Sequence, residues 1–290
     1  MVFSAVNSGV AAQAARNNAA TKRVLAMLRS ILVFISMLAC TSCATPPASH
    51  APDRDLGLLW VNHAAEYEAL TRQVYQSATD SLAEFIENPL WSAHPGQQNA
   101  GHLPPAVILD VDETVVNGAK FQIAFERPFS HSKREKWNEE HSSDPVPGVV
   151  EFIAAARKAG VEVFFVTNRS CGSIEGNSDA CPKRQSTIDD IEELGIDTDA
   201  EHVLLSGERG WDRAKIGRRN HIAKTHRIIM LFGDELGDFV PCVRPKLYGP
   251  CTEPATKASR TRLVRENSRY WGKGWYILPG PTHGSWTQVL

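Results

Sequence analysis

The stretch "AVILDVDETVVNG", residues 106–118, places four apolar residues directly before a cluster of acids, Asp110, Asp112 and Glu113. The apolar run predicts a buried strand, and the acids follow where that strand ends. Unpaired carboxylates beside an apolar core are costly, so we expect positive charge among them. A divalent cation with oxygen ligands, most simply Mg²⁺, meets that demand. The stretch therefore predicts a strand with a chemical site at its carboxyl end.

Outward from this stretch, strand-like and helix-like segments alternate. Further strands are predicted at 161–168, 202–207, 227–234 and 274–280, and helices at 147–159, 183–194 and 212–224. Residues 58–86 have apolar residues at three- and four-residue spacings and predict one or two amphipathic helices. The alternation predicts an α/β fold with a mostly parallel sheet covered on both faces.

Ligands bind at the carboxyl ends of the strands in such sheets. The polar residues at or near the other strand ends are Thr167, Asn168, Asp234 and Asp238, with Lys215 on the segment before the strand at 227–234. Each has an ordinary structural explanation, such as a helix cap at Asp112 or Thr114, or a solvated helix position for Lys215. Their occurrence together, in chain order and at strand ends, favours a functional site.

Composition excludes two broad classes of protein. Hydrophobic residues make up 42% of the 290 residues and charged residues 22%, which excludes disorder throughout and suits one large domain or two small ones. Residues 1–39 contain four basic residues and no acid, so the remainder has 27 basic and 33 acidic residues. This net negative charge argues against a nucleic-acid polymer as the main partner.

The N-terminus has the layout of a bacterial secretory signal. "RSILVFISMLAC", residues 29–40, follows a basic residue with an apolar run too short to predict a membrane-spanning helix. We expect residues 1–39 to be a signal peptide, with Met27 as an alternative start. "MLAC" resembles a lipobox, so Cys40 is predicted to be lipidated, followed by a flexible tether over 40–56. The alternative is an ordinary signal peptide cleaved nearby. Either way the protein is exported, and lipidation places it in the periplasm or outer membrane, attached only through its lipid.

Four cysteines remain after Cys40 and Cys43 are set aside, and four cysteines allow three pairings. Short loops in an oxidising compartment favour Cys171 with Cys181 and Cys242 with Cys251. Zinc binding is the alternative, but neither pair has the two-to-four-residue spacing of a zinc knuckle.

The motifs resemble those of a known family. "LDVDETVV", "FFVTNR", Lys215 in "KIGRRNHI" and "LFGDELGDF" resemble, in order, the four motifs of the haloacid dehalogenase superfamily. The flanks "AAEYEAL", "PVPGVVEF" and "YILPGPTHGSW" resemble class B and C acid phosphatases, especially bacterial lipoprotein acid phosphatases that act as 5′-nucleotidases. The resemblance implies an acid phosphatase domain over residues 57–290. Its implied fold is a Rossmann-like three-layer parallel sheet with a small helical cap and an N-terminal helical subdomain.

The resemblance also implies a role for each polar residue. Asp110 is expected to attack phosphorus and form an aspartyl-phosphate, and Asp112 to protonate the leaving oxygen and then deprotonate water. Mg²⁺ is expected on Asp110, Asp234 and the backbone carbonyl of Asp112. The phosphate ligands implied are Thr167, Asn168 and Lys215, and Asp238 is expected to orient Lys215 or a metal-bound water.

The substrate pocket departs from the family. Its expected aromatic positions are Phe121, Trp137 and His283, the last in place of a tyrosine, although the first two could equally pack a small cap. Glu113 is expected to face away from the metal. The main expectation is a metal-dependent phosphatase acting on small phosphomonoesters, with nucleoside 5′-monophosphates as candidates. The alternatives are phosphoryl transfer to an alcohol and an inert binding protein on the same scaffold. The sequence does not indicate an oligomeric state.

Overall fold

A computed structural model of the chain describes residues 51–124, 133, 137, 143–172 and 179–290. The predicted signal peptide and Cys40 lie outside the described residues. Two helices open this part of the chain, α1 (Ala51–His63) and α2 (Ala65–Glu87). Because α1 begins at Ala51, the last residues of the segment predicted as a tether are helical. The division at Ala64 gives the two-helix form of the predicted amphipathic segment.

The central sheet has five strands, all parallel, in the order β5-β4-β1-β6-β7. These strands are β1 (Pro105–Leu109), β4 (Glu162–Ser170), β5 (Val203–Ser206), β6 (Arg227–Gly233) and β7 (Trp275–Ile277). A separate antiparallel pair consists of β2 (Val116–Asn117) and β3 (Asp144–Pro145). All five strand predictions are confirmed, although β7 is shorter than the predicted 274–280.

The described ranges contain five further helices, α3 (Ala119–Ala124), α4 (Val149–Lys158), α5 (Lys183–Glu192), α6 (Ile216–Ile222) and α7 (Lys257–Glu266). Short 3₁₀ turns cover Glu208–Gly210, Leu236–Asp238 and Ser285–Val289. The sequence did not predict α7, because that helix has no buried residue and therefore no apolar stripe to detect. A capping box between Thr256 and Ser259 marks its start instead.

Alternating side chains of β1 build the two apolar layers on the faces of the sheet. Val107 and Leu109 pack in one core with residues of α2, α4 and α5. Ala106 and Ile108 pack in a second core with Ile222 of α6 and the residues around β7. This is the three-layer α/β fold predicted from the sequence. Since all five strands are parallel, the residues after β1, β4 and β6 meet at one edge of the sheet.

Two disulfides and a small insertion complete the described part of the chain. Cys171–Cys181 joins the end of β4 to the start of α5, and Cys242–Cys251 closes a loop after β6. Both are the pairings favoured from the sequence. The β2–β3 pair brackets the insertion at 118–143, which contains α3 and the described residues Lys133 and Trp137. No helix within the described ranges has the length and apolar character needed to cross a membrane.

Candidate active site

A tight turn follows β1 and orients the acids of the opening stretch. The carbonyl of Val111 accepts hydrogen bonds from the backbone of Val115 (2.8 Å) and Val116 (2.9 Å). Glu113 completes the turn with φ of 61°, a left-handed conformation that few residues other than glycine adopt. Asp110 lies between β1 and this turn. Its backbone N–H donates to the carbonyl of Phe232 in β6, and its side chain contacts Lys215, just before α6.

Lys215 forms the centre of the acidic cluster. This residue lies immediately before α6 and is 3% exposed. Its Nζ lies 2.5 Å from Oδ1 of Asp110 and 2.6 Å from Oδ1 of Asp238. Asp238 uses its other oxygen to accept from the backbone N–H of Glu235 at 2.9 Å. Gly233 is required here, because a Cβ at that position would lie 2.1 Å from Oδ2 of Asp238.

Asp234 completes a group of three carboxylates suited to a metal. Oxygens of Asp110, Asp234 and Asp238 lie within 4.8 Å of one another. Burial, and then the charges of Asp238, Asp110, Glu113 and Glu235, raise the pKa of Asp234 well above its usual range. Burial also raises the pKa of Asp110, although the ammonium of Lys215 opposes the shift. Among the described residues, none donates a hydrogen bond to the Asp234 carboxylate or forms an ion pair with it. A partly buried carboxylate without a positive partner among the described residues, beside two others, fits a divalent cation.

Glu113 corrects one expectation from the sequence, because it does not face away from this cluster. The side chain is 5% exposed and its charge contributes to the raised pKa of Asp234. Its Oε1 accepts from Nε2 of Gln122 at 2.8 Å and lies 3.4 Å from Nε2 of His283. The left-handed turn directs this side chain inward, where it connects the turn to the C-terminal segment.

Asp112 forms an ion pair with Arg169, a partner not predicted from the sequence. Nε of Arg169 lies 3.1 Å from Oδ2 of Asp112, and Nη2 lies 2.8 Å from Oδ1. The guanidinium therefore binds both oxygens of the carboxylate. Arg169 is part of the quoted motif "FFVTNR", but its partner lies 57 residues earlier in the chain and is brought close only by the pairing of β1 with β4.

Two buried arginines of α6 donate to residues of the site, Arg218 to the phosphate-binding candidates and Arg219 to Asp238. Nη1 of Arg218 donates to the carbonyl of Thr167, and Nη2 donates to Oδ1 of Asn168 at 2.8 Å. Nη1 of Arg219 donates to the carbonyl of Asp238. These residues stand three and four positions after Lys215, so the spacing of one helix face was the signal available in the sequence. Burial lowers the pKa of each to about 10.

The expected pocket residues occupy different environments. Phe121 is 3% exposed and meets Trp137 edge to face, with ring centroids 6.3 Å apart, so Phe121 belongs to the packing of the insertion. His283 is half exposed. A cavity of about 470 Å³ borders the site at Asp234. The other walls of this cavity are Glu235, Leu236, Arg260, Thr261, Val264, Trp271, Ile277 and Trp286.

Comparisons with known proteins identify the family and the fold. The family described as HAD superfamily, subfamily IIIB (acid phosphatase), matches residues 39–286. Two solved structures of a class C acid phosphatase from Bacillus anthracis, one with tungstate bound, each share 24% sequence identity with the chain. Each comparison covers 80% of this chain and 86% of the other, with a TM-score of 0.63. These two structures show the same fold.

Proposed function

We propose a metal-dependent mechanism for this chain, which belongs to the acid phosphatases of HAD superfamily subfamily IIIB. Family membership makes the protein a phosphomonoesterase, a hydrolase of small phosphate monoesters. The finer proposal is that Asp110 carries the phosphoryl group and that Mg²⁺ assists. The observation that supports it best is the Asp110–Lys215–Asp238 ion-pair cluster beside the uncompensated carboxylate of Asp234.

The donor set suits Mg²⁺. Asp110 and Asp234 are the carboxylates proposed to hold it, together with the backbone carbonyl of Asp112. Asp238 is the weaker candidate, because both of its oxygens already accept hydrogen bonds, from Lys215 and from the backbone of Glu235. When bound, the cation supplies positive charge between the acidic cluster and an anionic substrate.

The proposed chemistry consists of two displacements. In the first, an oxygen of Asp110 forms a bond to phosphorus as the ester P–O bond breaks, and Asp112 gives its proton to the leaving oxygen. In the second, water forms a bond to phosphorus as the Asp110–phosphorus bond breaks, and Asp112 takes the proton from water. Lys215 holds Oδ1 of Asp110, which leaves Oδ2 for attack.

Contacts around Thr167 and Asn168 support their assignment as phosphate ligands. Oγ1 of Thr167 accepts from the backbone N–H of Arg169 at 3.1 Å, which leaves the hydroxyl hydrogen for a phosphate oxygen. Oδ1 of Asn168 accepts from Arg218, so its amide N–H₂ is left as a donor. Both donors stand at the carboxyl end of β4, which pairs with β1, the strand that Asp110 follows.

A phosphate-release assay tests the mechanism. Asp110→Asn is expected to abolish turnover of a panel of nucleotides, sugar phosphates and pyridoxal phosphate, while exposed Asp80→Asn is expected to retain it. Removal of metal by a chelator is expected to stop the reaction, and added Mg²⁺ to restore it. Wild-type activity in Asp110→Asn would contradict the role of Asp110, and chelator-insensitive activity would contradict the role of the metal. Adding a nucleoside as acceptor distinguishes hydrolysis from phosphoryl transfer.

Substrate selection is proposed to depend on His283, with Phe121 and Trp137 shaping the insertion beside it. His283 is half exposed and bound to Glu113, so its ring lies next to the acidic cluster. His283→Tyr, which restores the residue type of the family, is expected to change KM for nucleoside monophosphates more than KM for small alkyl phosphates. Equal changes for both substrates would argue against a role in substrate selection.

Export and lipid attachment at Cys40 are also proposed. The supporting observation is the apolar run that ends in "MLAC". Cys40→Ala is expected to move the protein from the membrane fraction to the soluble fraction of the periplasm. If the unchanged protein is already soluble there, cleavage of an ordinary signal peptide is the correct reading.

A further inference from the structure

We propose that Arg169 is a positioning residue that holds the carboxylate of Asp112 for proton transfer. This inference rests on the proposed function, in which Asp112 exchanges a proton with the leaving oxygen and with water. Arg169 contacts both oxygens of Asp112, at 3.1 Å and 2.8 Å. A contact at two points fixes the orientation of a carboxylate, which a single contact does not.

Asp112 needs such a partner more than the neighbouring acids do. Its side chain is 37% exposed, whereas that of Asp110 is 12% exposed and that of Asp238 is 5% exposed. Packing therefore restricts the rotamers of Asp112 less. An ionised carboxylate has about four sites for hydrogen bonds, and Arg169 takes one on each oxygen.

Arg169 is itself held from the opposite side. Its Nη1 lies 2.5 Å from Oδ2 of Asp190 and 3.4 Å from Oγ1 of Thr187. These two residues are three positions apart on α5 and so share one face of that helix. Asp190 compensates the guanidinium and holds it in place beside Asp112. The chain Asp190–Arg169–Asp112 thus connects α5 to the reacting atoms.

Leaving-group dependence separates this role from a structural one. The nitrophenolate of 4-nitrophenyl phosphate departs without a proton, whereas the alkoxide of a nucleoside 5′-monophosphate requires one. The value of kcat/KM reports the steps up to departure of the leaving group. For Arg169→Met we expect kcat/KM to fall about 100-fold with the nucleotide, the size of a general-acid contribution, and less than threefold with the nitrophenyl ester.

Three further variants serve as references. Asp112→Asn is expected to show the same leaving-group dependence, and Arg169→Lys, which keeps the charge without the two-point contact, a weaker form of it. Exposed Arg157→Met is expected to behave as wild type with both esters. If Arg169→Met does not fold, by circular dichroism, then Arg169→Lys decides the question by the same comparison.

The outcomes distinguish this inference from the proposed function. The inference alone is overturned if kcat/KM of the Arg169 variants falls equally with both esters, or does not fall, while Asp112→Asn still discriminates between the esters. Failure of Asp112→Asn to discriminate would instead overturn the assignment of Asp112 as the proton donor. The expected pattern in both sets of variants supports Arg169 as the residue that positions Asp112.

Discussion

At the residue scale, the acidic cluster has two parts: carboxylates that form ion pairs with Lys215, and Asp234, which forms no ion pair in the described ranges. Lys215 forms ion pairs with Asp110 and Asp238, so each of these buried charges has an opposite charge within 2.6 Å. Asp234 lacks any such partner in the described ranges, and burial together with four nearby carboxylates raises its pKa. Without metal, the ionised form of Asp234 is therefore electrostatically unfavourable in the folded protein.

Replacement of Asp234 is expected to stabilise the metal-free protein. Folding raises the pKa of Asp234, so the contribution of this group to stability is complete below its unfolded pKa of about 3.9. That contribution is lost as the pH rises through the pKa of the folded protein. Asp234→Asn in a chelator should thus have a higher free energy of unfolding than wild type at pH 7.5. The gain should vanish near pH 4.

Denaturant titrations at both pH values, with and without Mg²⁺, measure this effect. Mg²⁺ is expected to stabilise wild type and not Asp234→Asn, because ligand binding to the folded state adds to stability. Exposed Glu192→Gln is the charge-matched control and should not change the response to Mg²⁺. A lower stability of Asp234→Asn than of wild type at pH 7.5 in chelator would contradict the assigned strain.

The sequence indicated the polar residues at the strand ends but not the residues that contact and orient them. Asp110, Asp234 and Lys215 were detectable because strand ends in a parallel sheet meet at one edge. Arg169 and the inward direction of Glu113 were not, since they depend on tertiary contacts, and helix spacing indicated Arg218 without indicating its partner. Arg218 donates to a backbone carbonyl, which no side-chain pattern records, and Glu113 turns inward through a left-handed backbone conformation.

At the scale of elements, an arginine in the sheet, Arg227, binds the last carbonyls of α2. Arg227, the first residue of β6, is 3% exposed. Its guanidinium donates to the carbonyls of Phe85, Ile86 and Asn88, each at 2.8 Å. The last carbonyls of a helix have no partner within the helix, so a cation placed there both satisfies and stabilises them.

Arg227→Met is expected to lower the free energy of unfolding by about 3 kcal/mol, because it leaves buried carbonyls without donors. Activity of the folded fraction should be unchanged, since Arg227 lies at the opposite end of β6 from Asp234. Denaturant titration and phosphate release at a low temperature measure the two effects. The exposed Arg262→Met serves as the control. A loss of kcat/KM at full folding would show that α2 does more than support the sheet.

The two disulfides offer a matched comparison of elements. They separate residues by 10 and 9 positions, so each is expected to contribute about 2–3 kcal/mol by restricting the unfolded chain. Paired serine replacements should therefore lower stability to a similar extent. Only the Cys171/Cys181 pair is also expected to lower kcat/KM for nucleotides, because it ties the end of β4 to the helix that holds Arg169. Equal kinetic effects of both pairs would contradict this.

At the scale of the whole molecule, the layered fold was predictable and its additions were not. Continuous apolar runs revealed all five strands because both faces of the sheet are covered. In contrast, α7 has no buried face, and β2 with β3 has only two residues in each strand, too few for a period to be seen. The periodicity of the sequence therefore does not show the insertion at 118–143, which lies between β2 and β3.

The second half of the N-terminal helix α1, from Gly57, packs against the rest of the domain. Val61 packs with Tyr67 of α2 and Ala119 of α3 in a separate apolar cluster, and the ring of Trp60 meets that of Tyr67 at 5.7 Å. Gly57 also approaches the C-terminal segment, where a Cβ would lie 2.9 Å from the carbonyl oxygen of Pro281. Contacts of α1 with distant parts of the chain make it a component of the fold.

Truncation tests this boundary. A chain starting at Ala51 keeps every described contact of the compact unit Ala51–Leu290 and is expected to match the full chain in melting temperature and in kcat/KM within twofold. A chain starting at Ala65 removes α1, and the loss of its two buried side chains, Leu58 and Val61, should cost roughly 3–6 kcal/mol. Thermal melts and phosphate release in Mg²⁺ measure both. If the Ala65 chain were as stable as the Ala51 chain, α1 would belong to the tether after all, and the domain would begin at α2.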